Sequence, residues 1–231
     1  MLEAGKRLVA NCSRDLSLTV LGMPPPTPES AAEVADLGRL RGGWHITEMA
    51  YGLERSGHRF LCVLRGQPEA GGQHPTDANV EVLPECFIER TRGKGLVWPT
   101  SAPQKEILAH ASVGGFVTHC GWNSVLESLW FGVPMVPWPL YAEQHYNAFV
   151  VVSDVAVAVT MKTDRARDNW VDSAELERAV KSLMDMGGDE EGRKAREKAM
   201  EMKDACRKAV EKGGSSYSAL QSLFTRAAVS R

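Results

Sequence analysis

The sequence predicts an α/β fold built on buried parallel strands, and three observations carry that prediction. From Trp44 onward, apolar runs of strand length alternate with longer helical stretches, the order expected when helices cover a sheet. Gly114 to Cys120 is a short apolar run ending in polar residues, as strands covered on both faces are. The window Ser101 to Gln144 then reads strand, turn, helix, strand, with polar groups placed at each turn.

Taken in order, Met1 to Ala10 reads as part of a helix, with Leu2, Leu8 and Val9 on one side. Leu16, Leu18 and Val20 alternate with Ser17 and Thr19, a strand pattern, and Pro24 to Pro28 ends it. Residues 16–21 are expected to add a strand to the following sheet, because an exposed inner edge invites aggregation. Thr47 to Arg55 suggests a helix and Arg59 to Leu64 a strand; Gln67 to Thr76 is a Gly/Pro-rich loop. Val80 to Leu83, Gly95 to Trp98, Gly114 to Thr118 and Val133 to Val136 suggest further strands. Gly121 allows a tight turn, and Asn123 or Ser124 is expected to cap a helix through Leu126, Leu129 and Trp130. Gln144 to Val152 reads as a helix and Val155 to Thr160 as a strand. Asp172 or Ser173 caps a helix through Met184. Asp189 to Lys212 is a charged helix with an apolar stripe of Ala195, Ala199, Met202, Cys206, Ala209 and Val210, and Ser215 to Ala228 is a last helix.

Composition narrows the function. A chain of 231 residues can bury a sizeable core, and a net charge of −2 points to neither nucleic acid nor an anionic membrane surface. Cys12, Cys62, Cys86, Cys120 and Cys206 are odd in number and lack a CxxC pair, so they read as reduced thiols in a cytoplasmic protein. The six histidines show no ligand spacing, so no metal is expected. Met1 to Asp15 lacks the apolar core of a signal peptide. Ala148 to Val159, the longest apolar stretch, is interrupted by Ser153 and Asp154 and too short to span a bilayer.

The chemistry concentrates in the window. A helix start presents free N–H groups and the positive end of a dipole, and so suits an anion. A pyrophosphate fits there, with His119, Asn123 and the Ser124 hydroxyl as further donors. Glu127 lies one turn in, where a carboxylate can accept two hydrogen bonds from a ribose diol. Glu143 and Gln144 follow the next strand at its C-terminal end, where open α/β sheets bind ligands. A carboxylate beside an amide suits a sugar's vicinal hydroxyls. A bacterial-type nucleotide-sugar epimerase or dehydrogenase fits poorly, because no Gly-x-Gly-x-x-Gly occurs near the N-terminus.

Pro103-Gln104, His119, Gly121-Trp122-Asn123-Ser124, Glu127, Gly132-Val133-Pro134, Pro139 and Glu143-Gln144 together resemble, at matching spacing, the signature box of plant secondary-product UDP-glycosyltransferases. The resemblance implies a Rossmann-like parallel sheet of the GT-B type, essentially the C-terminal donor-binding domain. It further implies that Ala102 and Gln104 contact uracil, mainly through backbone, and that Glu127 holds the ribose. His119, Asn123 and Ser124 would hold the phosphates, and Trp122, Glu143 and Gln144 the sugar. Gln at the last box position is associated with glucose. The implied activity is inverting transfer of glucose from UDP-glucose to a hydroxyl of a small phenolic or terpenoid acceptor. UDP-sugar and acceptor would be the only partners, and the protein a monomer that needs neither metal nor cofactor.

Two departures accompany the match. The box normally opens with a Trp that stacks on uracil, and here that residue is Ser101. Trp98 lies an odd number of residues upstream, so on a strand it faces the opposite side. The chain is also about half the family's usual length. The resemblance reads 1–36 as a remnant of the N-terminal acceptor domain, 37–43 as a junction and 44–231 as the UDP-sugar-binding domain. It places the catalytic His before Met1, so no catalytic residue is identifiable. A non-catalytic remnant that binds UDP-sugar weakly or not at all is therefore the alternative.

Overall fold

The computed structural model describes residues 7–11, 43–64, 79–187 and 189–229. Its centre is a five-stranded parallel sheet in the order β3-β2-β1-β4-β5. The strands are β1 (Arg7–Asn11), β2 (Phe60–Val63), β3 (Gly95–Trp98), β4 (Val113–Thr118) and β5 (Met135–Pro137). The helices are α1 (Gly43–Ser56), α2 (Phe87–Arg90), α3 (Gln104–Ala109), α4 (Trp122–Phe131), α5 (Glu143–Phe149), α6 (Ser173–Met184), α7 (Glu190–Val210) and α8 (Ser215–Val229).

Side chains alternate across the strands, and each face has its own core. Phe60, Cys62, Val117 and Val136 pack with Met49 and Leu53 of α1 and Leu176, Val180 and Leu183 of α6. Leu61, Val63, Phe116 and Met135 pack with Ile107 and Leu108 of α3, Val125 and Leu129 of α4, and Ala199 of α7. Covering both faces explains why β2, β4 and β5 are buried along their whole length. The order reverses between β1 and β4, the kind of switch point beyond whose C-terminal strand ends open α/β sheets bind ligands.

Several expectations need correction. Arg7 to Ala10 is not helical: with Asn11 it forms β1, pairing with β2 at Val9↔Leu61 and with β4 at Val9↔Phe116. The slot expected for residues 16–21 is thus filled by an earlier segment; 16–21 itself, the Pro-rich turn and the Gln67–Thr76 loop lie outside the described residues. Arg7–Asn11 stands in the middle of the sheet. Val80–Val82 is a 3-10 turn, not a strand, because Asn79 caps it through Oδ1 to the Glu81 N–H at 2.9 Å. Val155 to Thr160 contributes only a parallel bridge, Met135↔Ala158. The helices α2 and α3, absent from the sequence reading, are 4 and 6 residues long, too short for a periodic signal. Among the described residues, no helix is long and apolar enough to cross a membrane.

Candidate functional site

The polypeptide leaves β4 at Thr118 through a turn that positions everything after it. Thr118 Oγ1 accepts the Cys120 N–H at 3.2 Å, and Thr118 O accepts the Trp138 N–H at 2.7 Å. The left-handed residue of the turn is Cys120, at φ 60°, not Gly121, at φ −59° and ψ 138°. A left-handed non-glycine residue is unfavourable and persists only where its surroundings over-determine it. Here Asn147 Nδ2, from α5, donates to Cys120 O at 2.9 Å. Burial of the thiol pushes the Cys120 pKa up, so it stays neutral and is no nucleophile.

Gly121 serves space instead of φ. A Cβ on it would collide with Nε2 of His119, whose ring lies buried beneath the turn. The expected side-chain cap is also corrected: Gly121 is the N-cap of α4, and no side chain caps the helix. Asn123 and Ser124 lie inside the first turn, so their side chains do not curl back to cap it. The first N–H groups of α4 therefore open directly at the C-terminal edge of β4.

Three predicted residues come together in one bonded cluster. Gln104, the first residue of α3 and fully buried, donates from Nε2 to Ser124 Oγ at 3.1 Å and to Glu127 Oε2 at 2.8 Å. Ser124 is 3% exposed, while the Glu127 side chain keeps 15% of its surface open and has Lys105 Nζ 3.8 Å from Oε1. Trp122 and Asn123 are exposed at the helix start. Ala102 is buried just before α3, and Ser101 is exposed. Trp98 does not take the place of a Trp at 101: its Nε1 donates to Thr100 Oγ1 at 2.8 Å.

The second pair sits at the start of α5. Glu143 is exposed, whereas Gln144 is buried and accepts the Leu140 and Tyr141 N–H groups through Oε1 at 2.9 and 3.3 Å. One side of the Gln144 amide thus holds its own loop. Ala142, immediately before, adopts φ 48° and ψ −126°, a conformation natural only to glycine. His145 follows; partial burial, helped by the positive charge of Arg165, lowers its pKa below the ordinary imidazole value. Asn147 was not singled out from the sequence. Its spacing of three residues from Gln144 puts both on the buried side of α5, a signal that could have marked it.

The family model described as UDP-glucoronosyl and UDP-glucosyl transferase matches residues 45–201. A malvidin galactosylase of rice, Oryza sativa subsp. japonica, is 67% identical over 183 residues, covering 77% of this chain. A flavonol 3-O-glucosyltransferase of Arabidopsis thaliana is 51% identical over 175 residues, covering 74% of this chain. The chain spans only 38% and 34% of the length of these two relatives. The structure of Medicago truncatula UGT71G1 complexed with UDP-glucose superposes with a TM-score of 0.69 at 38% identity, over 84% of this chain and 39% of the other. That of TcCGT1 in complex with UDP reaches 0.74 at 36% identity, over 93% and 48%. The parallel sheet is therefore Rossmann-like and of the GT-B type, and the chain belongs to the UDP-glucoronosyl and UDP-glucosyl transferase family.

Proposed function

We propose that residues 44–231, with β1 completing the sheet, bind a UDP-sugar at the C-terminal edge of β4 and β5. The supporting observation is the uncapped start of α4, set beside a carboxylate one turn further on. The diphosphate sits over the first N–H groups of α4, with His119, Asn123 and Ser124 as additional donors. Glu127 accepts the ribose hydroxyls. The backbone at Ala102 and Gln104 meets the uracil edge, and Trp122, Glu143 and Gln144 line the sugar. In the full reaction a general base takes the proton of a small phenolic's hydroxyl, whose oxygen bonds to the anomeric carbon with inversion as the bond from that carbon to the diphosphate oxygen breaks and UDP leaves. The free thiols Cys62, Cys86, Cys120 and Cys206 fit a reducing compartment, the cytoplasm.

Glucose is the donor sugar this reading favours, from Gln144. Galactose is the second reading, favoured by the 67% identity to a protein named a malvidin galactosylase. Competition binding with UDP, ADP, UDP-glucose and UDP-galactose tests both. The expected result is UDP bound more tightly than ADP, and UDP-glucose more tightly than UDP-galactose. The reverse order of the two sugars would select galactose. Absence of UDP binding, or equal binding of UDP and ADP, would overturn the donor site.

A further inference from the structure

We infer that Gln104 is a positioning residue whose side-chain amide locks the ribose-binding carboxylate and the phosphate-binding hydroxyl into one frame. The inference rests on the donor-site reading and assigns Gln104 a role beyond backbone contact with the base. Its side chain points inward and is fully buried, and both of its N–H groups are spent on α4, on residues one helical turn apart. The amide can adopt only one orientation. Turned over, its oxygen would face the Glu127 carboxylate, acceptor against acceptor.

Two consequences follow for the groups it holds. Ser124 Oγ accepts from Gln104, so its own proton is directed away from the amide and stays available to a ligand. Glu127 is fixed through Oε2, which leaves Oε1, faced by Lys105 at 3.8 Å, as the freer oxygen for a diol. Without the amide, the Glu127 side chain would regain its rotamers and a nucleotide would have to order it again. The buried Oε1 of Gln104 makes no hydrogen bond. The amide therefore holds its place through its two donations alone, and an apolar side chain of the same length would have no hold on α4.

The test is calorimetric titration of the full chain with UDP at several pH values. The Gln104→Met variant is expected to bind UDP about tenfold more weakly, the scale of one lost charge-assisted hydrogen bond. In a Glu127→Ala background the same substitution should cost less, because only the Ser124 hydroxyl is left to position. Gln104→Glu supplies a readout that packing alone would not move. Two carboxylates at hydrogen-bond distance share a proton until the pH rises above their raised pKa. Relative to the unmodified protein at each pH, this variant should bind nearly normally at pH 5 and progressively worse toward pH 8. Melting curves identify any variant that fails to fold, and if Gln104→Met does, the pH series on Gln104→Glu decides. An affinity within about twofold of the unmodified protein for Gln104→Met, or a pH-independent ratio for Gln104→Glu, would overturn the positioning role and leave the donor site standing. If the unmodified protein does not bind UDP, both fall.

Discussion

Gly121 is required for a reason its backbone does not reveal. Its φ and ψ suit any residue, but a methyl group there would drive into the His119 imidazole. Gly121→Ala should therefore displace the ring, destabilise the fold by about 1–3 kcal/mol and weaken UDP binding; melting and calorimetry would record both. At Ser101 the expected change is a gain. Serine offers no π surface, so Ser101→Trp should supply about 1–3 kcal/mol of stacking on a base, about tenfold or more in UDP affinity. An unchanged affinity, with a sharp loss in Trp98→Ala, would show instead that the indole tethered to Thr100 swings into the slot. At this scale the sequence was legible where identity and spacing suffice: Ser124 and Glu127, one turn apart on α4, both bond Gln104, and His119 follows β4 directly. It was not legible where direction decides. The sequence points to Gly121 for the tight turn, whereas Cys120 carries the left-handed φ, and it offers Asn123 or Ser124 as the cap of a helix that has no side-chain cap.

Among the elements, α4 owes its place to what lies behind it. α7 packs on α4 and also crosses α6, where Asp189 Oδ1 accepts the Gly192 N–H at 2.9 Å and Ser182 Oγ donates to it at 2.6 Å. A Cβ at Gly192 would overlap the Ser182 carbonyl oxygen, which is backbone and cannot yield cheaply. Gly192→Ala should lower stability by about 2–3 kcal/mol, through separation of α6 from α7; a melting temperature equal to that of the unmodified protein would rule this out. At α5 the expectation has the opposite sign. Ala142 holds a glycine-like conformation, so Ala142→Gly should relieve strain and leave the protein as stable or more stable, by up to about 1 kcal/mol. The long helices were readable, α7 from its apolar stripe and α6 from a cap at Asp172 or Ser173, of which Asp172 is the one that caps it. The short α2 and α3 were not, because a single turn has no period, and α3 is the element that delivers Gln104.

For the whole molecule, the alternation of strands and helices announced the α/β class, but not which segment fills the central position. That depends on pairing across dozens of residues, which no local pattern encodes. The backbone of Arg7–Asn11 pairs on both sides, so Val9→Pro removes an N–H from the middle of the sheet. It should lower the melting temperature by about 5 °C or more; no shift would mean that β1 adds nothing to the sheet in solution.

The measurement that bears most directly on the donor site is calorimetry of UDP and of inorganic pyrophosphate with the unmodified chain and with His119→Ala, Ser124→Ala and Glu127→Ala. His119→Ala and Ser124→Ala should weaken both ligands, because those side chains serve the phosphates. Glu127→Ala should weaken UDP and leave pyrophosphate nearly untouched, because its carboxylate serves the ribose. Equal UDP affinity in all four proteins would contradict a nucleotide site at the start of α4.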